Sequence, residues 1–123
     1  MAKYKKKLDA DIRCPLEYGL TIFGGKSGEY PQKLYKALMN SQTVLTVWDD
    51  ARLVGLIRVL DDSEMLAQIH YVLVHPEYQG QGIAGRMVEY IKEKYKNFMY
   101  LELMPEDKNN VPFYEKHGFH VME

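Results

Sequence analysis

Residues 79–85 read Gln-Gly-Gln-Gly-Ile-Ala-Gly, placed between a β-prone run and a helical one. Glycines at a strand-to-helix passage expose successive backbone N–H groups at a helix start. The helix dipole adds roughly half a positive charge there, so the spot favours an anion, or else the glycines merely make a tight turn. Side chains at Gly80, Gly82 and Ala84 are absent or minimal, and a pyrophosphate can approach the backbone closely. Over 82–96, Ile83, Met87, Ile91 and Tyr95 recur at helical spacing, which predicts an amphipathic helix. A loop of this kind calls for an α/β domain.

The flanking pattern supplies the rest of that domain. Residues 43–48, 53–60 and 67–74 read as three strands joined by turns at Asp49-Asp50 and 61–63, which makes an antiparallel meander. A strand over 98–104 follows the helix, and Pro105 breaks it. A short helix is expected over 111–117, closed by Gly118, and 119–122 reads as a last strand. Upstream, Pro31 opens a helical pattern carrying Leu34, Tyr35 and Leu38. The stretch before it is the least patterned, with a short strand expected at 20–23 and a loop at 24–28. The expected fold is α/β, with an antiparallel meander first and one β-α-β unit after it.

At 123 residues the chain is expected to form one domain. A formal net charge of −1 gives no general reason to expect nucleic acid or a membrane surface as partner. The basic run Lys3-Tyr4-Lys5-Lys6-Lys7 reads as a solvated tail or a strand edge. Cys14 is the only cysteine, so no intrachain disulfide forms and a reducing, cytoplasmic setting is expected. No apolar run approaches the ~20 residues of a membrane span, and no secretory signal pattern is visible.

Two nucleotide motifs fail on context. Gly25-Lys26-Ser27 ends like a P-loop, but the glycine required five residues earlier is Leu20, with Gly19 one place off. The G-x-G-x-x-G of residues 80–85 even has Glu102 at the spacing of a dinucleotide-binding acid. Five residues, 75–79, separate the strand from the first glycine, however, and too little chain follows for the further β-α units.

Val-His-Pro-Glu-Tyr-Gln-Gly-Gln-Gly-Ile-Ala at 74–84, with Phe-Tyr-Glu-Lys-His-Gly-Phe at 113–119, strongly resembles the GNAT superfamily of acetyl-CoA-dependent N-acetyltransferases. The resemblance covers roughly residues 43–120. It implies that the parallel strands 67–74 and 98–104 splay apart to form a cofactor cleft, with the first ~40 residues on the acceptor side. It further implies that the backbone of Val72 and Val74 holds the pantetheine arm. Gln79, Gly80, Gln81, Gly82, Ile83, Ala84 and Gly85 would hold the pyrophosphate.

The implied reaction transfers acetyl from acetyl-CoA to a primary amine, on a small molecule or a peptide, by direct attack. No Cys–His or G-x-S-x-G arrangement points to an acyl-enzyme. Tyr114 matches the family tyrosine that faces the CoA sulfur and acts as general acid, while by composition alone it is a packing residue beside Phe113 and Phe119. His70 lies four residues before Val74 and so is expected on the face of Val72 and Val74, where an imidazole suits proton uptake near neutrality. It is a candidate base, or else an interior strand histidine. Glu102 is the rival as base or substrate anchor, or else a solvated strand residue, and Glu64, at the start of the third strand, could act only through water. No zinc site is expected: His70 and His75 have odd separation on one strand, and His117 and His120 lack thiolate partners. The family's CoA-contacting asparagine is replaced by Asp107; Asn109 or Asn110 can substitute or simply cap the helix. The family pattern continues beyond Glu123 into a hairpin strand, which leaves open a trimmed chain or a homodimer in which a partner subunit supplies it. The alternative function is a non-catalytic acyl-CoA-binding module.

Overall fold

The computed structural model describes residues 2–5, as backbone, together with 31–50, 52–105 and 107–122. The strand and loop expected at 20–28, and Cys14, lie outside the described residues. Five strands form one sheet in sequence order: β1 (Ala2–Lys5), β2 (Thr43–Asp49), β3 (Arg52–Asp61), β4 (Leu66–Val74) and β5 (Tyr100–Leu103). The first four pair antiparallel and β4 pairs β5 in parallel, so the expected meander and β-α-β unit are both present. Part of the N-terminal basic run is a strand edge: Lys3 and Lys5 stand on β1, opposite Trp48 and Thr46.

Helix α1 (Pro31–Met39) covers one face of the sheet. Its Leu34 and Leu38 are buried with Val44, Trp48, Leu53 and Leu56. Helices α2 (Ile83–Lys94) and α3 (Val111–Lys116) cover the other face. There Ile83, Met87, Ile91 and Tyr95, the residues of the predicted stripe, are all buried.

Two contacts fix where α2 begins and ends. A Cβ on Gly55 of β3 would lie 3.0 Å from the Ile83 side chain and 3.2 Å from that of Val47, so the glycine lets the helix start seat on the sheet. At the other end the Tyr95 hydroxyl donates to Asp61 at 2.5 Å. Its single proton is thereby used, and Thr43 donates to the same oxygen at 2.6 Å. Burial, reinforced by the Asp61 bond, pushes the Tyr95 phenol up to about 12, so it remains a donor.

One predicted element is not formed. Residues 119–122 have no regular structure, and Val121 and Met122 are 64% and 82% exposed. Phe-His-Val-Met is β-prone, but a strand exists only by pairing, and no described strand lies beside it.

Candidate active site

β4 has nine residues and β5 has four, and this difference creates the site. Their parallel pairing runs from Leu66↔Tyr100 to Ile69↔Leu103 and then stops. Beyond Ile69 the two strands part, which is the splay the resemblance implies. Val74 and Gly55 face each other without exchanging bonds, since the ladder bond beside them runs from His75 N–H to Val54 C=O at 2.8 Å. The N–H and C=O of Val74 therefore point away from β3, and those of Val72, two residues earlier, do the same. Both residues direct their backbone groups into the fork. Their side chains pack with the α2 core.

His70 does not share that face. The β3–β4 register passes from Arg58↔Tyr71 to Val59↔Ile69, leaving His70 as the extra residue of a bulge. The bulge shifts the alternation by one: Ala67 and Ile69 face α2 before it, and Val72 and Val74 after it. Tyr71 and Leu73 face the α1 core. The His70 ring lies with them, its Nδ1 2.6 Å from an Arg58 guanidinium nitrogen. A guanidinium only donates, so Nδ1 is the acceptor and the neutral ring carries its proton on Nε2. Arg58 also donates from Nε to Ser41 Oγ at 2.7 Å, and Ser41 in turn donates to the carbonyl of Ala37 in α1.

Glu102 is exposed on β5 opposite Gln68, between Leu101 and Leu103, which pack against the α2 core. It therefore projects to the α1 face, as His70 does. Glu64 lies in the exposed β3–β4 turn, whose amides bond the Asp62 carboxylate.

On the α2 face, the chain leaves the fork through a 3₁₀ turn, Pro76–Tyr78, capped by the ring of buried His75, whose Nδ1 accepts from Glu77 N–H. That turn is tied to the β2–β3 hairpin. The Tyr78 hydroxyl donates to Asp49, and Arg52 pairs with Glu77 at 2.8 Å while lying 5.6 Å from the Tyr78 ring centre. The bond to Asp49 holds the Tyr78 phenol above its usual range. Gly80 and Gly82 follow at φ of +83° and +80°, and Gly82 is the N-cap of α2. Their missing Cβ atoms would meet nothing within 4 Å. The first helical bond is Arg86 N–H to Gly82 C=O, so the amides of Ile83, Ala84 and Gly85 have no helical partner. Gln81 is exposed, Ala84 is half-buried, and the Gln79 side-chain amide donates to Val74 C=O at 3.3 Å, linking loop to fork.

α3 brings Tyr114 into the core cluster that includes Val72, Val74, Leu101 and Leu103. The ring is 8% exposed and meets Phe113 and Phe119 edge-on at 5.0 and 6.1 Å, so the packing role exists whatever else the hydroxyl does. His117 fastens α3 to α2 through a 2.5 Å bond to Glu89, a contact that holds the Glu89 carboxyl below its usual range. Between the two helices lies an open groove of about 760 Å³, reached from Gly82 and Gly85 and walled by Tyr90 and Phe113. Asn110 is exposed at the start of α3 and makes no capping bond. Asp107 caps the preceding 3₁₀ turn instead, accepting from Asn109 N–H.

The fork thus has two sides. Tyr114, the glycine loop and the side chains of Val72 and Val74 lie towards α2, while His70 and Glu102 lie towards α1. Arg58, Asp49, Arg52 and Tyr78 were not among the expected site residues. Arg58 had a readable signal, as a lone charge inside the apolar run Leu-Val-Gly-Leu-Ile-Arg-Val-Leu.

A mixed sheet thus forks beside a bulge, and a glycine-lined helix start lies on one of its faces. The acetyltransferase (GNAT) family model matches residues 15–119, and the chain belongs to that family. An uncharacterised N-acetyltransferase in the lysA 3′ region of Bacillus methanolicus is 34% identical over 117 residues, 94% of this chain and 92% of the relative. A GNAT family acetyltransferase from Streptococcus pneumoniae superposes with a TM-score of 0.79 at 26% identity, covering 98% of this chain and 89% of its own. A GNAT acetyltransferase from Elizabethkingia anophelis, crystallised with acetyl-CoA bound, shares the fold with a TM-score of 0.74 at 18% identity, over 99% of this chain and 78% of its own.

Proposed function

We propose that the protein is an acetyl-CoA-dependent N-acetyltransferase that passes acetyl to a primary amine by direct attack within a ternary complex. The observation that carries this reading is the fork itself, with an anion-ready loop on one face and polar side chains on the other. Acetyl-CoA supplies the activated thioester. Gly80, Gly82 and the amides of Ile83, Ala84 and Gly85 would take the pyrophosphate, and the backbone of Val72 and Val74 the pantetheine arm. Asn110, unused by capping, is available to the same ligand. The Val72 N–H is the candidate to stabilise the oxyanion, and Tyr114 would protonate the departing thiolate. The lone cysteine suits a cytoplasmic setting for this chemistry.

Acetyl-CoA at about 100 times its dissociation constant stabilises a protein by ~2.7 kcal/mol, on the order of a 10 °C rise in Tm for a domain this size. NAD is expected to give no rise, because the loop lacks the dinucleotide fold around it. An equal shift with NAD, or none with acetyl-CoA, removes the basis of the reading.

For the base, the geometry speaks against His70. Proton uptake at Nδ1 would break the Arg58 bond and place a second positive charge beside the guanidinium. We therefore expect the basic limb of the kcat/KM profile to survive in His70→Gln. The same series in Glu102→Gln then separates a carboxylate base, which loses the limb, from an enzyme that simply selects the neutral amine, which keeps it. Loss of the limb in His70→Gln alone would restore the histidine as base.

A further inference from the structure

The geometry points to an acceptor that carries an anion as well as its amine: a carboxylate or phosphate held by Arg58, a few bonds from the amine presented to the fork. This inference rests on the acetyl-transfer reading and adds the class of substrate to it.

Arg58 stands between Ile57 and Val59, both fully buried, in the middle of a central strand. Its own side chain is only half-buried and turns to the α1 face, on which the acetyl-transfer reading puts the acceptor. Burial draws its pKa down, against a smaller opposing effect of Tyr71. A half-buried guanidinium is partly desolvated, and an anion beside it would offset that cost. No carboxylate among the described residues pairs with it. Its two partners, Ser41 Oγ and His70 Nδ1, are both neutral acceptors. They take two of its five N–H donors, so three remain without a partner among the described residues.

Position gives that vacancy a meaning. Arg58 pairs with Tyr71, immediately after the bulge and just past Ile69, where β5 leaves β4. It is one strand spacing, ~4.8 Å, from the strand whose backbone lines the fork. Ser41 and His70 fix the guanidinium from two sides, so its planar edge is preorganised for an anion. On the far side of the fork, Glu102 offers the opposite charge on the same face. An amine at the fork with an anion over β3 fits an amino acid or a short amino phosphate, which spans a comparable distance.

The test measures thiol release from acetyl-CoA with matched acceptor pairs. One arm sets phenylalanine against phenethylamine and β-alanine against ethylamine; the other sets phosphoethanolamine against ethanolamine. In at least one arm the anionic member is expected to show a roughly 10- to 100-fold higher kcat/KM, as a charge-assisted pair provides. The responding arm identifies the anion as carboxylate or phosphate. Arg58→Gln should abolish the preference through the KM of the acceptor while the KM for acetyl-CoA holds, and Arg58→Lys should restore part of it. The melting temperature of each variant checks that it folds. Neutral amines preferred or equal in both arms, or a preference that persists in a folded Arg58→Gln, overturns the inference and leaves acetyl transfer standing. No thiol release with any of the six amines overturns the acetyl-transfer reading, and this inference with it.

Discussion

Tyr114→Phe is expected to lower kcat by about 10²-fold while Tm and acetyl-CoA affinity stay close to those of the parent protein. The substitution removes one hydroxyl and leaves the ring, so the edge-on contacts to Phe113 and Phe119 persist. The backbone carbonyl of residue 114, which accepts from the amides of His117 and Phe119, is untouched. A buried phenol that loses a hydrogen-bonding group costs about 1 kcal/mol, a small fall in Tm. General acid groups contribute ~10²–10⁴-fold, and a thiolate leaves readily, which places the effect at the low end. Steady-state rates with the best acceptor, beside a thermal melt, measure both quantities. An unchanged kcat in a folded variant returns Tyr114 to packing alone. A loss of rate that tracks a large fall in Tm says the same.

The elements around this tyrosine were readable because each rests on local chemistry. Ile83, Met87, Ile91 and Tyr95 mark one helical face, and all four are buried. The meander follows from three β-prone runs separated by turns, and the glycines at 80 and 82 take the positive φ that their residue type permits. The bulge was not readable. His70 is followed by Tyr71 in a strand whose lower half is exposed on alternate residues and whose upper half is part-buried throughout, so no residue type marks the slipped register. That single inserted residue moved His70 to the α1 face and put Arg58 beside it. Residues 119–122 show the opposite failure, since a β-prone composition carries no information about whether a neighbouring strand is present. Asp107 departs from the pattern that the resemblance implies. Its carboxylate caps the turn before α3, which leaves Asn110 uncommitted.

The glycine loop carries the other large effect. Gly82→Val is expected to weaken acetyl-CoA binding by at least about 100-fold and to lower Tm by several degrees. The two losses have separate causes. Gly82 has a φ of +80°, where an L-residue is strained and a β-branched one more so, at a cost of roughly 1–2 kcal/mol. That strain falls on the N-cap of α2 and shifts the amides of Ile83, Ala84 and Gly85 from their aim. The added side chain also enters the open space beside the loop, where a Cβ meets no protein atom within 4 Å and where the proposed pyrophosphate would approach. Gly82→Asn separates the terms, since asparagine tolerates the left-handed region and serves as an N-cap. This variant should recover most of the lost Tm and still bind acetyl-CoA poorly, because its side chain fills the same space. Calorimetric titration of acetyl-CoA into all three proteins decides the matter. If the asparagine variant regains full affinity along with its stability, the space beside Gly82 is not where the anion lies, and only backbone strain remains to explain the valine.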